Sequence, residues 1–176
     1  GALLEIIIKM NDIQKYQSTE VLYAEQFGGE LIEDSRQWLI DADVLTPDGK
    51  TVSIKDQFRS SLRYGNIAVE LEIFNTERGL KKPGWFEYIE TIGLSILAAH
   101  PDTGDPIWIR CKPEKLQEWV NNNKNKLKPY QLRPETVRHN ERQGRTYTNS
   151  KGFLIPVTSL LRDDFSFTEL EGDYKL

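Results

Sequence analysis

Apolar and polar residues follow two different spacings in the first half of the chain. Over Ser18–Phe27 the apolar residues recur every three positions, which predicts a helix capped by its serine and ended by the glycine pair at 28–29. After the helix, apolar residues alternate with polar ones, the spacing typical of half-buried strands. Four such runs follow: Glu30–Asp34, Gln37–Thr46, Lys50–Gln57 and Asn66–Phe74. The Pro-Asp-Gly sequence at 47–49 is a turn signal between the second and third runs, so the four runs predict an antiparallel meander.

The second half of the chain predicts further helices and strands and a more polar end. The predicted elements are a short helix over Trp85–Thr91, strands over Gly93–Ala99 and Pro106–Cys111, and a helix over Pro113–Val120 that begins with proline. Beyond them we expect an Asn/Lys linker over Asn121–Lys128, a hairpin over Thr146–Pro156 that turns at Asn149-Ser150, and a frayed acidic tail from Arg162 onward. Near the beginning, Leu3–Gln14 fits either a helix or a strand.

The length of 176 residues and the hydrophobic content of 38% are enough for one domain with a buried core. The order of elements predicts an α/β core domain over residues 1–122. Residues 123–176 are then a basic linker, a hairpin and an acidic tail packed on that core.

Several charged side chains are predicted to share one face of the sheet. In Gln37–Thr46 the even-numbered apolar residues point one way, so Asp41 and Asp43 point the other. The same alternation turns Lys55, with Ser53, away from the apolar face of the next run, and Glu70, with Glu72, away from that of the run after it. Three neighbouring strands can therefore present carboxylates and a lysine to one pocket. The solvent-facing side of an ordinary antiparallel sheet has the same pattern, and both interpretations remain open.

The stretch from Asp43 through Ser53-Ile-Lys55-Asp56, followed by Tyr64-Gly-Asn-Ile-Ala-Val-Glu70, resembles the PD-(D/E)xK nuclease superfamily, including its phage-type Holliday-junction resolvases. The resemblance implies a restriction-endonuclease-like core, with a central mixed sheet flanked by helices, plus a C-terminal hairpin extension. It also implies a DNA endonuclease that uses Mg²⁺ or Mn²⁺, acts as a homodimer and is encoded by a phage or mobile element. The family pairs an Asp on one strand with an acidic-x-Lys on the next, across a tight hairpin.

One position departs from the family pattern, because Ser53 stands where the motif has its acidic residue. The resemblance implies Asp43 as the anchoring metal ligand and Lys55 as the group that orients water or counters charge. Glu70 or Asp56 can replace the missing carboxylate; Glu70 is favoured, with Glu72 as a further substitute. The Ile54 carbonyl is a further ligand. Glu20 on the first helix is a further ligand or an exposed surface residue. The catalytic set is therefore Asp43, Ser53, Lys55 and Glu70, and the metal set is Asp43, Ile54, Glu70 and Glu20.

Charge is unevenly distributed along a chain whose net charge is -4. Residues 1–56 carry 5 Lys/Arg and 11 Asp/Glu, whereas residues 122–151 carry 8 Lys/Arg and 2 Asp/Glu. The basic segment predicts contact with a DNA backbone, although a solvated surface has the same composition. The candidate DNA-binding residues are Lys124, Lys126, Lys128, Arg138, Arg142 and Arg145, with Arg63 beside the proposed active strands.

Several other classes of function are disfavoured. A single cysteine, Cys111, permits no internal disulfide and no Cys-rich zinc site. Neither a Gly-rich phosphate loop nor a Gly-x-Ser-x-Gly motif is present, which argues against NTP and serine hydrolases. No apolar run reaches the length of a membrane helix and the first residues are a poor signal peptide, so we expect a cytoplasmic protein. Two alternatives to a nuclease remain: an inactive nuclease fold that binds nucleic acid or a protein partner, and an ordinary interaction domain.

Overall fold

The computed structural model of the chain describes residues 18–32 and 42–174, which form two β-sheets and several helices. The strands are β1 (Glu30–Leu31), β2 (Val44–Leu45), β3 (Thr51–Asp56), β4 (Asn66–Asn75), β5 (Leu80–Pro83), β6 (Gly93–Ala99), β7 (Pro106–Cys111), β8 (Lys128–Gln131), β9 (Asn149–Pro156) and β10 (Phe167–Glu169). The helices are α1 (Ser18–Phe27), α2 (Phe58–Tyr64), α3 (Trp85–Tyr88), α4 (Pro113–Asn123), α5 (Pro134–Arg142) and α6 (Val157–Arg162), with a 3₁₀ turn at Lys124–Lys126.

Among the described residues, the first sheet has six strands in the order β1-β2-β3-β6-β7-β10. It is a mixed sheet, because β3 and β6 run parallel while the other neighbours are antiparallel. A parallel pair needs a crossover connection, and here the chain between the two strands includes α2, the strands β4 and β5, and α3. The expectation of an α/β protein with a mixed sheet flanked by helices is confirmed.

The second sheet has the order β5-β4-β9-β8 and is antiparallel throughout. Its longest pairing joins β4 to β9, from Asn66 opposite Pro156 to Phe74 opposite Asn149. The register shifts between Glu70 and Glu72, which indicates a β-bulge in β4. Strands on both sides of the predicted boundary at residue 122 thus share one sheet.

The two faces of the first sheet are buried by different elements. Ile67 of β4 and Ile155 of β9 pack with Leu94 and Ile96 of β6 in a core between the two sheets. On the other face, Tyr23 of α1 belongs to a second core. That second core also contains Leu22, Val52, Ile54, Leu97 and Trp108. Since Val52 and Ile54 face α1, alternation turns Ser53 and Lys55 toward the second sheet.

Three predicted elements agree with the structure at both ends: the helix Ser18–Phe27 and the strands Gly93–Ala99 and Pro106–Cys111. The predicted meander is wrong. Between the third and fourth runs the chain forms α2, which ends at Gly65 with a φ of 75°, and β4 then joins the second sheet. The fourth run therefore does not lie beside the third, because its partners are β5 and β9.

Four further expectations are corrected. The helix over Trp85–Thr91 ends at Tyr88, and the helix from Pro113 continues to Asn123 before the 3₁₀ turn, where a linker was predicted. The predicted hairpin over 146–156 is one continuous strand, β9, which has β4 on one side and β8 on the other. The prediction of a frayed tail from Arg162 onward is wrong for the described residues up to 174, because β10 pairs with β7. Of the predicted strand Gln37–Thr46, residues 37–41 lie outside the described residues, as does Leu3–Gln14.

Within residues 18–32 and 42–174, we find no helix that is both long enough and apolar enough to cross a membrane.

Candidate functional site

Asp43 lies at the start of a tight hairpin and is held by the opposite strand. Its side chain is 7% exposed, and its Oδ2 accepts the Ile54 N–H at 2.7 Å. The hairpin closes at Thr46, whose N–H donates to the Lys50 carbonyl at 2.8 Å, and Gly49 supplies the positive φ of 83° that the turn requires. This hairpin is the arrangement that the spacing predicted, and it fixes the Asp43 carboxylate against β3.

Ser53 and Lys55 follow Asp43 on the same side of the sheet. Asp43 directly precedes the pair formed by Val44 and Val52, so Ser53 is the residue opposite it. Ser53 is fully buried, with 0% exposure, whereas Lys55 is half-buried. The position where the family has a carboxylate is therefore closed to solvent.

Trp85, at the start of α3, covers Lys55. The Lys55 Nζ lies 4.7 Å from the centroid of the Trp85 ring, a distance that allows a cation–π interaction. This contact restricts the lysine head group next to the hairpin. Sequence reasoning assigned Trp85 only to a helix, because its contact with Lys55 joins elements that are far apart in the chain.

Glu70 reaches this region from the second sheet. Its Oε1 accepts the main-chain N–H of Trp85 at 3.4 Å, so Trp85 contacts both Lys55 and Glu70. The expectation that Glu70 lies on the strand next to Lys55 is wrong, because β4 belongs to the other sheet. Gly84 permits this approach, since a Cβ there would lie 2.6 Å from the Glu70 Cγ. Glu72, in contrast, forms ion pairs with two exposed lysines of β5 and β9.

Glu20 lies in the first turn of α1, on the helix that covers the opposite face of the first sheet. The beginning of this helix is tied to the end of β3, because Thr19 Oγ1 donates to Asp56 Oδ2 at 2.7 Å. The Tyr174 hydroxyl donates to the same oxygen at 2.8 Å. Asp56, which follows Lys55 directly, is thus occupied in joining α1, β3 and the end of the chain.

The donor chemistry of the site suits a hard cation, because carboxylate oxygens are the preferred ligands of Mg²⁺. Among residues 18–32 and 42–174, no group of three or more Asp, Glu, His or Cys side chains gathers around one point. Mg²⁺ often binds through one or two carboxylates together with water and phosphate oxygens, and Asp43 next to β2 of the first sheet and Glu70 in the second sheet offer oxygens of this kind. The Ile54 main chain contacts the site through its N–H, which donates a hydrogen bond to Asp43 Oδ2. Asp41 lies outside the described residues.

The predicted basic segment contains α5 and is exposed along most of its length. Arg138 and Arg142 are four residues apart, which places them on the same side of this helix, and Arg138 forms an ion pair with Glu135 at 3.8 Å. Arg145 has a structural contact, since its Nη1 donates to Asn140 Oδ1 at 2.6 Å. All the other cations that the sequence singled out are exposed: Arg63, Lys124, Lys126 and Lys128.

No protein-family model matches the chain, and no curated protein is similar to it in sequence.

Proposed function

We propose that the chain is a metal-dependent endonuclease that hydrolyses DNA phosphodiester bonds, of restriction-enzyme or resolvase type. The observation that carries the proposal is the hairpin of β2 and β3. It fixes the buried Asp43 carboxylate on the Ile54 N–H, with Lys55 two residues away from Ser53 on the same face. An Asp followed across a tight turn by a lysine is the spacing that the PD-(D/E)xK resemblance requires.

In this proposal Asp43 and Glu70 hold Mg²⁺ or Mn²⁺, and the Ile54 carbonyl is a further candidate, whereas Glu20 lies on the helix that covers the opposite face of the sheet. The metal ion supplies an activated water and neutralises charge on the phosphate. Lys55 counters the charge that develops on the phosphate oxygens, and its contact with Trp85 keeps the ammonium group in place before substrate arrives. The main-chain N–H of Ile54 donates a hydrogen bond to the Asp43 carboxylate and fixes its position against β3.

DNA is the proposed substrate because the exposed cations of residues 124–145 can neutralise phosphates. A homodimer is proposed because family members that cut both strands act in pairs. Sedimentation velocity checks this part independently: a species of about 41 kDa, twice the 20.4 kDa chain, is expected, and a monomer at all concentrations would contradict the dimer alone.

A second candidate is favoured by one observation. Ser53 is fully buried where the motif has a carboxylate, so the site has fewer ligands than the family pattern. An inactive nuclease fold that binds nucleic acid or a protein partner would keep the hairpin and lose the chemistry.

The test is cleavage of supercoiled plasmid DNA in Mg²⁺ or Mn²⁺. Asp43→Asn keeps the side-chain shape and an acceptor for the Ile54 N–H, so it removes the charge without unpairing the main chain. Lys55→Met keeps the length of the side chain. We expect each to reduce cleavage about a hundredfold or more, because removing one group that stabilises transition-state charge has effects of that size.

Asp102→Asn is the matched control, since Asp102 is an exposed carboxylate in the turn between β6 and β7. It should cleave like the unmodified chain. Binding of DNA without cleavage in either metal would favour the inactive alternative. Equal cleavage by all variants would remove the hairpin from the mechanism.

A further inference from the structure

A cleft of about 380 Å³ lies at one end of the first sheet, where β3 and β6 begin and β7 ends. Tyr23 of α1 and Val52 line it, and both belong to the core under α1. The cleft therefore opens on the α1 side, whereas Lys55 and Trp85 lie on the opposite face. Its volume is in the range of small-molecule sites.

The rim of this cleft is cationic. Lys50, Arg110 and Lys112 line it with one carboxylate, Asp48, although the chain as a whole has a net charge of -4. Asp48 is engaged within its own turn, because it accepts a hydrogen bond from the Thr46 hydroxyl and pairs with Lys50 at 3.4 Å. The cleft thus presents an excess of positive charge.

Arg110 is held in position on this rim by aromatic rings. Its guanidinium carbon lies 3.9 Å from the centroid of the Phe27 ring, and its Nη2 donates to the Tyr23 hydroxyl at 3.5 Å. A stacked guanidinium keeps its remaining N–H groups directed for planar recognition of an anion. The Arg110 guanidinium is therefore held in place to donate hydrogen bonds to an anion before the anion binds.

The interior of the cleft combines one polar group with apolar surface. Ser95 is 1% exposed and lines the cleft. Val52 and Leu94 are apolar, and Ile92 is 52% exposed beside them. Burial raises the pKa of the Cys111 thiol to about 12. The thiol is therefore neutral and is not a nucleophile, so the cleft is suited to binding a ligand.

We propose that this cleft binds a phosphate-bearing ligand of the size of a mononucleotide. Lys50, Arg110 and Lys112 receive the phosphate, and the wall formed by Ile92 and its neighbours receives the base. The phosphate has two chemical sources, a free nucleotide or the 5′ end of a DNA strand. The inference is independent of the nuclease proposal, since neither Asp43 nor Lys55 lines the cleft.

Isothermal titration calorimetry tests the proposal with five probes. Three are small: 2′-deoxyadenosine 5′-monophosphate, 2′-deoxyadenosine and inorganic phosphate. The other two are an oligonucleotide duplex with a 5′-phosphate and the same duplex without it. We expect the nucleotide to bind more tightly than the nucleoside or phosphate alone. Lys112→Gln should weaken this binding about tenfold, because hydrogen bonds to charged groups contribute that much. Arg110→Gln should do the same, with thermal melting as the check that the loss of its ring contacts leaves the chain folded.

Arg162→Gln is the matched control, since Arg162 is an exposed arginine on α6 whose ion pair is with its neighbour Asp163. Its nucleotide affinity should be unchanged. Binding of only the 5′-phosphorylated duplex, lost in Lys112→Gln, would support the site and identify a strand end as the phosphate source. The proposal is overturned if no probe binds, if the nucleoside binds as tightly as the nucleotide, or if neither variant changes the affinity. Plasmid cleavage by Lys112→Gln should equal that of the unmodified chain, so the two proposals fail separately.

Discussion

Ser53 is the residue at which the chain departs most from the nuclease pattern, and its surroundings explain what a carboxylate there would encounter. It is fully buried opposite Asp43. A second carboxylate at this position would be desolvated next to a first one, and both effects disfavour ionisation. A divalent cation between the two would remove the repulsion.

We therefore predict that Ser53→Glu melts at a lower temperature in EDTA and recovers in Mg²⁺. The expected loss of unfolding free energy is about 3 kcal/mol or more, the cost of burying a charge without a partner. Ser53→Gln is the control of equal size without the charge, and it should melt at the same temperature in EDTA and in Mg²⁺. If Mg²⁺ leaves the melting temperature of Ser53→Glu unchanged, this face of the hairpin holds no metal.

The residues of the candidate site differ in how far sequence alone could assign them. Asp43 and Lys55 follow from local alternation and a short turn, both of which are encoded within the hairpin itself. The position of Glu70 beside Trp85 depends on how the second sheet packs on the first, and no local pattern contains that information. Trp85 was missed for the same reason.

At the scale of elements, the end of the chain is held by contacts that the sequence did not predict. After β10, Glu171 donates its N–H to Gln26 Oε1 at 3.0 Å, and the Tyr174 ring packs on Phe58 at 4.7 Å between centroids. The Tyr174 hydroxyl donates to Asp56. Burial, followed by this hydrogen bond, raises the pKa of Tyr174 to about 12.

This raised pKa predicts a pH dependence of stability. An unfolded tyrosine has a pKa of about 10, so the folded state favours the protonated phenol. The free energy of unfolding that the Tyr174 phenol contributes is complete below about pH 10 and is lost as the pH rises toward about 12. We predict that the difference in unfolding free energy between the unmodified chain and Tyr174→Phe is constant from pH 7 to 9 and shrinks above pH 10. Urea denaturation at each pH measures this difference, and a difference that does not change with pH would show that folding does not raise the pKa of Tyr174.

The elements that were predicted with their observed bounds, α1, β6 and β7, all have local signals at their ends. The helix α1 has its own serine and glycine boundaries, and β6 and β7 are apolar runs between turn residues. The helix α2 was missed although Asp56 Oδ1 accepts the Phe58 N–H at 3.1 Å and Gly65 ends it, two signals that the sequence contained. The strand β9 was predicted as a hairpin because its partners, β4 and β8, are distant from it in the chain.

At the scale of the whole molecule, the basic segment of the sequence forms an exposed surface that carries most of its cations. The segment 124–145 is exposed, but its cations are not equivalent. Arg145 supports the end of α5 through Asn140, and replacing it would alter structure as well as charge. Arg138 and Arg142, exposed on one side of α5, are the pair that can be removed with the smallest structural effect.

For a DNA contact on this surface, each phosphate neutralised contributes about -0.9 to the slope of log K against log salt concentration. The double variant Arg138→Gln/Arg142→Gln should therefore flatten the slope by about 1.8 and weaken binding to all duplex sequences alike. Fluorescence anisotropy of a labelled duplex from low to moderate salt measures the slope. Arg162→Gln, on α6, serves as the control and should leave it unchanged. A double variant that keeps both the slope and the affinity of the unmodified chain would exclude α5 from the DNA contact, and Arg63 with the cations of β5 would then be the surface to change next.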